Sequence, residues 1–239
     1  GCAKPPKALE GILFKDDLAF LKTHTKVVVL SDATGQAQVA VNPDLQGRVM
    51  TSAAAGPDGL SFGWIGREAI ASGVNNPHMN SFGGEDRFWL GPEGGQFSIF
   101  FKKGDPFDLD HWWTPPPVNE GSFDVAAQDK DRIHFRKVMK LVNYSGTEFD
   151  LEVNREVRLL GAAEVKALGV PVPAGVKMVA YASDNNITNV GANAWMKDTG
   201  LLSIWILGMF NPSPATTIVI PFKSGPESEL GPAVNDAYF

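Results

Sequence analysis

The sequence predicts an all-β protein, an antiparallel sandwich or barrel with one or two short helices at its margins. Short segments rich in β-branched and aromatic residues recur along the chain, and Gly, Pro, Asn and Asp bound them. One of these segments alternates strictly between apolar and polar positions. Helical spacing occurs in only two places. Strands this frequent with so few helices favour one antiparallel β domain.

The elements follow in chain order. The first helix is predicted over residues 13–25, where Phe14, Leu18 and Leu21 share a face, and the second over residues 162–169, closed by Gly169. Strands are predicted over residues 26–31, 37–41, 47–53, 96–101, 122–128, 132–142, 149–159, 176–182, 201–210 and 216–222.

A hairpin joins residues 132–142 to residues 149–159 through the turn sequence NYSGT. In the second strand the odd positions are apolar except Arg155, so Arg155 is the one charge on the predicted buried face. Burying an unpaired guanidinium is costly, so Arg155 must meet a carboxylate or line a polar cleft. The pattern leaves both alternatives open.

The stretch SFGGEDRFWLGPEGG, residues 81–95, combines turn residues with a brief strand. Its glycines and prolines indicate turns and close backbone approach. Arg87 and Trp89 share a face, which is a candidate cleft wall. Glu85 and Asp86 could bond a sugar hydroxyl or pair with Arg87. The stretch is therefore a structural corner and also a candidate ligand contact.

The segment DPFDLDHWW, residues 105–113, gathers acids and aromatic rings. Apolar sugar faces stack on aromatic rings while nearby carboxylates bond the hydroxyls, so Asp110, His111 and Trp112 are candidate saccharide contacts. Asp105 and Asp108 could also supply oxygen ligands to calcium. The spacing is not that of an EF-hand, and the prediction is that no metal binds.

Several function classes are disfavoured. The net charge of −6 and the absence of clustered Lys and Arg argue against a nucleic-acid partner. The longest apolar run, residues 201–210, is half of a membrane-spanning helix. Nucleophile elbow, phosphate loop, Cys/His cluster and dinucleotide fingerprint are all absent, so no cofactor is predicted and the catalytic residues stay unknown.

Cys2, the single cysteine, directly follows Gly1. The pair resembles the end of the lipobox of bacterial lipoproteins, in which the cysteine carries lipid; the alternative is a free thiol beside a tag remnant. Residues 1–8 are then a tether. The lipoprotein interpretation implies a lipid anchor on a membrane surface outside the cytoplasm, in the periplasm or at the cell surface.

Two stretches resemble galactose-mutarotase-like proteins. The first stretch is similar to a segment near the start of that fold, through Gly83-Gly84, Arg87, Trp89 and Pro92-Glu93. The second is similar to the Thr-Asn-His motif of the fold, through Thr188 and Asn189. The resemblance implies an antiparallel β-supersandwich, one domain over residues 9–239, and uncharacterised bacterial lipoproteins as nearest relatives. Candidate ligand contacts are Glu85, Arg87, Trp89, Asp110, His111, Trp112, Arg155 and Asn189.

One departure decides what the resemblance implies about activity. In aldose 1-epimerases the histidine after Thr-Asn is the general acid, and this chain has Val190 there. The expectation is a secreted lipoprotein that binds or processes carbohydrate without being a true aldose 1-epimerase. The alternative is a non-catalytic surface or assembly lipoprotein that reuses the fold.

The last residues, GPAVNDAYF, end on two aromatics. Proteins with this fold are usually longer, so the expectation is that a C-terminal segment beyond Phe239, or a partner chain, covers the strand edges near residues 201–210 and 216–222.

Overall fold

The computed structural model describes residues 11–234 and shows a mostly β protein. Strands account for 31% of the residues and helices for 17%. Every strand pair is antiparallel, which confirms the predicted all-β class. The strands are β1 Val28–Ser31, β2 Gln38–Asn42, β3 Arg48–Ala53, β4 Arg87–Gly91, β5 Asp124–Gln128, β6 Arg132–Val142, β7 Glu148–Leu159, β8 Tyr181–Asn189 and β9 Ser203–Leu207. The α-helices are α1 Phe14–His24, α2 Arg67–Ser72, α3 Pro116–Asn119, α4 Ala162–Ala167 and α5 Glu227–Leu230, with 3-10 turns at Pro43–Leu45 and Leu109–His111.

The strands form three sheets, ordered β1-β2-β3, β4-β9 and β5-β6-β7-β8. Backbone hydrogen bonds join β3 to residues 85 and 86, which lead into β4. The amide of Val49 donates to the carbonyl of Asp86 at 3.1 Å, and the amide of Glu85 donates to the carbonyl of Val49 at 2.8 Å. The segment that enters β4 is therefore fixed against β3.

The main core lies between the four-stranded sheet and the other two. Buried apolar side chains from both sides belong to one cluster, so the sheets pack as layers around a common interior. Each of the larger side chains contributes roughly 1.5–3 kcal/mol by leaving water. From the four-stranded sheet come Ile133, Phe135, Leu151, Val153 and Val157; from the other sheets come Leu30, Val39, Val41, Val49, Phe88 and Leu90.

The β6–β7 hairpin confirms the predicted alternation. The strands pair from Arg132↔Arg158 to Val142↔Glu148, and the odd positions of β7 from Phe149 to Val157 are buried. Asn143 closes the turn, since its side-chain oxygen accepts from the Thr147 amide at 2.9 Å. This register puts Arg155 in the interior.

Three predicted strands need correction. Residues 96–101 form bends, although Ile99 and Phe100 still pack into the core. Residues 216–222 form no strand; they have an apolar composition but no neighbouring strand among residues 11–234 to pair with. Residues 176–182 enter a strand only at Tyr181, because pairing with β7 begins there. Composition indicates strand tendency, whereas pairing decides whether a strand forms.

The predicted helices α1 and α4 are confirmed. In α1, Phe14 and Leu21 are buried on one face and Leu18 is half-buried. The expectation of only one or two helices is wrong, because α2, α3 and α5 also form. Each has only four to six residues, too few for a periodic apolar pattern. Among the described residues, no helix has the length and apolar character needed to cross a membrane.

The predicted lipid site Cys2, the tether of residues 1–8 and the terminal aromatics Tyr238 and Phe239 lie outside the described residues. Within residues 11–234, β9 pairs with β4 along one edge, and the other edge of β9 has no partner strand.

Candidate functional site

One face of the β4–β9 ladder carries the main candidate site. The register pairs Arg87 with Leu207, Trp89 with Trp205 and Gly91 with Ser203. Because side chains alternate along a strand, these pairs lie on one face, and Phe88 and Leu90 point to the core on the other. Arg87 and Trp89 thus share a face, as the alternation predicts.

An open groove of about 680 Å³ runs along this face. That volume is within the usual range for small-molecule sites. We call it the tryptophan groove and define it by Met79, Trp89, Glu93, Trp112, Trp205 and Leu207. Trp205 is 39% exposed, Trp112 is half-buried and Trp89 is almost fully buried, so Trp89 forms the floor of the groove and the other two rings form its walls.

The tryptophan rings are held by specific contacts. The indole N–H of Trp89 donates to Oε1 of Glu93 at 2.6 Å, and its ring meets Trp205 edge-on at 6.2 Å. Trp112 stacks on Phe100 with ring centres 4.9 Å apart. A ring held in this way offers its surface to a ligand with little loss of side-chain entropy.

Trp112 and Trp113 are adjacent in one loop but line two different sites. The carbonyl of Trp112 lies 2.6 Å from Nδ1 of His78, while Trp113 stacks on the His78 ring at 4.0 Å. Trp113 therefore lines a separate pocket of about 380 Å³ beside Phe101 and Lys140. Only Trp112 reaches the tryptophan groove.

The predicted contacts Asp110 and His111 are not in the groove. Asp110 is exposed on the 3-10 turn. His111 is hydrogen-bonded through Nδ1 to Asp108 at 2.6 Å, and this bond raises the pKa of His111. The aspartates of this segment form no cluster with metal-ligand geometry among residues 11–234.

Glu85 lies beneath the ladder in a polar cluster. Its carboxylate accepts hydrogen bonds from the amide of Ser52 at 2.7 Å, the hydroxyl of Ser52 at 2.9 Å and the hydroxyl of Tyr181 at 3.0 Å. Burial raises the pKa of Glu85 to about 7 despite these donors. Glu85 faces protein groups and does not line the groove.

Arg155 occupies the centre of the same cluster and is fully buried. Its guanidinium donates to Oδ1 of Asp86 at 2.5 Å, to Oδ1 of Asn185 at 2.6 Å and to the carbonyl of Gly47 at 2.9 Å. Asp86 also accepts from Ser183 at 2.8 Å. Of the two alternatives, the structure shows the ion pair, and Asp86 pairs with Arg155 instead of Arg87.

Arg87 and Arg48 are buried beside this cluster, and neither has an acidic partner in the part of the chain that the structure describes. The guanidinium of Arg87 lies 4.1 Å from the centre of the Trp89 ring, and its Nη1 donates to the carbonyl of Asn80 at a long 3.5 Å. Arg48 donates to the carbonyl of Gly83 at 2.8 Å and to Gln46 at 3.0 Å. Nε of Arg48, and Nε and Nη2 of Arg87, have no hydrogen-bond partner among residues 11–234.

Gly84 explains how Arg48 reaches this position. Gly84 has φ of +105°, and a Cβ there would lie 2.7 Å from Cδ of Arg48. A side chain at this residue would displace the arginine. The predicted close approach occurs at both glycines, because a Cβ at Gly83 would lie 2.2 Å from the carbonyl oxygen of Trp64 and Gly84 leaves room for the stem of Arg48.

Asn189 and its neighbours also lie outside the groove. Asn189 is exposed and closes a turn, accepting from the Gly191 amide at 3.0 Å and donating to the Asn193 carbonyl at 2.8 Å. Val190 is 49% exposed. The structure thus brings together Trp89 and Trp112 of the predicted contacts, with Arg87 adjoining them.

Sequence reasoning missed Met79, Trp205 and Arg48. Trp205 lies opposite Trp89 only because β9 pairs with β4, although more than a hundred residues separate them. The sequence carried one signal for Trp205. Within the predicted strand 201–210 it shares a face with Ser203 and Leu207, which lie two residues away on either side. Arg48 falls within the predicted strand 47–53, and nothing in the local pattern assigns it a role.

These observations define the class as an antiparallel all-β protein with an aromatic groove beside buried arginines. The chain belongs to the family whose model matches residues 12–239, described as a family of unknown function, DUF6786. Comparison with curated proteins and with solved structures finds no match.

Proposed function

We propose that this protein binds carbohydrate in the tryptophan groove and acts as a secreted lipoprotein of the cell envelope, anchored through Cys2. The fold underlying this proposal is a galactose-mutarotase-like supersandwich, as the GG, R.W and PE segment implies.

The grouping of three tryptophans around one groove is the observation that carries the proposal. Pyranose rings have apolar faces that pack on indole rings, and hydroxyls at the ring edge need a few polar partners. Glu93 supplies such a group at the groove, held by Trp89. Rigid rings with one oriented carboxylate suit a flat, polar-edged ligand.

The alternative is a non-catalytic surface or assembly lipoprotein. The observation that favours it is the exposed segment 216–222, in which Ile218, Val219 and Ile220 are each close to 80% exposed. Exposed apolar clusters often mark contact surfaces. The groove supports carbohydrate binding more directly, because its rings are already ordered.

Isothermal titration with a panel of mono- and oligosaccharides tests the proposal. Trp205→Ala removes an exposed wall of the groove, and Trp113→Ala removes a tryptophan of nearly equal exposure, 37%, in the separate pocket. Loss of one stacking surface should weaken binding about tenfold or more in Trp205→Ala. Trp113→Ala should bind within about twofold of the unaltered protein.

Two results would contradict the proposal. One is that no saccharide in the panel binds. The other is that the two variants lose affinity equally, which would place the sugar outside the groove. Crystals soaked with a binding sugar would give the direct answer.

Localisation needs a separate test. Expression of the gene in its native host should place the protein in the membrane fraction, and Cys2→Ser should move it to the soluble fraction. Metabolic labelling with a radioactive fatty acid should mark only the protein with Cys2. Equal fractionation of both proteins would rule out the lipid anchor.

A further inference from the structure

Within the described part of the chain, residues 11–234, the two arginines beside the tryptophan groove have no acidic partner. Arg48 and Arg87 are 1% and 4% exposed. The ion pairs among residues 11–234 involve neither of them. A buried guanidinium without an acid is costly unless an anion compensates it.

A small cavity lies between these arginines. Its lining includes Arg48, Arg87, Met79, Asn80, Ser81 and Leu207, and its volume is about 10 Å³. Three N–H nitrogens of the two guanidinium groups lack partners, and both side chains line this cavity. The cavity therefore offers donors and positive charge to a small acceptor.

The cavity adjoins the tryptophan groove. Met79 and Leu207 line both, and Leu207 is the residue opposite Arg87 in the ladder. Arg87 precedes Trp89 by two residues on the same face of β4, which is about 7 Å along the strand. A sugar stacked in the groove can therefore direct one ring substituent toward Arg87.

We propose that the cavity is a carboxylate subsite of the groove, so that the preferred ligand is a uronic acid or a saccharide containing one. This inference rests on the proposed function. The size of the cavity selects the anion: about 10 Å³ accommodates roughly one water-sized group, such as one carboxylate oxygen. A planar carboxylate can place one oxygen there and keep the other at the groove, whereas the tetrahedral phosphate and sulfate groups are wider around the oxygen that would enter.

The charges nearest the two arginines agree with an anionic ligand, whereas Glu93, the carboxylate of the groove, follows the opposite end of β4 from Arg87. The acids closest to the arginines are already engaged, Asp86 with Arg155 and Glu85 with Ser52 and Tyr181. Burial lowers the pKa of Arg87 to about 10, which leaves its guanidinium charged at neutral pH. Burial, and then repulsion from Arg87 and Arg155, lowers the pKa of Arg48 well below its ordinary value, and an anion in the cavity would offset both effects.

Titration calorimetry with matched sugar pairs tests the inference. Galacturonate is compared with galactose, and glucuronate with glucose, each as the methyl glycoside. The acidic member of at least one pair should bind ten times more tightly or better. Arg87→Met should reduce that preference to less than twofold, with binding of the neutral sugar retained. Arg136→Met, which alters an exposed arginine on β6, should keep the full preference.

A second measurement on the unaltered protein covers the case in which Arg87→Met does not fold. Acetate should compete with the uronate for the subsite and should leave binding of the neutral sugar unchanged. Galactose 6-phosphate should bind no better than galactose.

The outcomes separate the two proposals. Equal affinity for the acidic and neutral members overturns the carboxylate subsite and leaves carbohydrate binding intact. Binding of none of these sugars, acidic or neutral, overturns both. Tighter binding of the phosphate than of the uronate overturns the assignment of the anion.

Discussion

Arg155 and Arg87 are both buried strand arginines, yet their surroundings differ completely. Arg155 has an acid, an amide oxygen and a carbonyl as hydrogen-bond acceptors. Arg87 has one long hydrogen bond and the face of Trp89. A satisfied charge inside a protein is a structural element, whereas an unsatisfied one beside a groove indicates a ligand. Variants of the two arginines and of Glu85 distinguish these two roles.

The largest effect is expected for Arg155→Met. The substitution leaves Asp86 charged and without its main partner, so the free energy of unfolding should fall by about 3–5 kcal/mol. Urea denaturation measures it. Arg136→Met, which removes an exposed pair with Glu152, should cost no more than about 1 kcal/mol. Equal stability of the two variants would mean that the Arg155 cluster is not structural.

Glu85 provides a pH test of the same cluster. Its pKa is raised from 4.5 to about 7 in the folded state, so between these values the folded protein binds more protons than the unfolded one. The free energy of unfolding should therefore fall as the pH rises from about 4.5 to 7, by on the order of 3 kcal/mol, and then level off.

Glu85→Gln should remove this dependence, because the amide carries no charge at either pH. Urea denaturation of both proteins at pH 4.5, 6 and 7.5 gives the difference between them, in which other titrating groups cancel. Parallel stability profiles would show that Glu85 titrates normally and is better hydrated than its contacts indicate.

A smaller effect is expected for Arg87→Met in the absence of ligand. Methionine retains apolar contact with Trp89 and removes a buried cation that has no acidic partner. The free energy of unfolding should lie within about 1 kcal/mol of the unaltered value, or above it. A loss comparable to that of Arg155→Met would contradict the distinction between the two arginines.

No effect is expected on the interconversion of sugar anomers. Val190 has no proton to donate, and the Glu85 and Arg155 cluster is occupied by its own hydrogen bonds. Polarimetry of freshly dissolved galactose and glucose should show the rate of buffer alone. Clear acceleration would mean that another group, such as His78 or His111, supplies the acid.

Local pattern predicted those parts of the fold that depend on near neighbours. The β6–β7 hairpin, the burial of alternate β7 positions and the α1 face follow from spacing alone. Residues 96–101 and 216–222 have a similar composition and form no strand. A strand needs a partner to accept its hydrogen bonds, and composition does not state whether one exists.

For the candidate site, too, local pattern predicted only the residues whose role depends on near neighbours. Trp89 and Trp112 were identified from their aromatic context, and Arg87 from its shared face. Trp205 and Arg48 required long-range pairing, since β9 joins β4 from far along the chain and β3 meets the segment before β4. Asp110, His111 and Asn189 are near such residues in sequence but face other directions.

The sequence by itself determined the all-β class, the need to neutralise Arg155 and the close approach at Gly83 and Gly84, because each follows from the chemistry of a few adjacent residues. Only the tertiary structure decided which acid meets Arg155, which arginines remain unpaired and which tryptophans share a groove. Those outcomes depend on contacts between strands distant in the chain, and local periodicity contains no information about them.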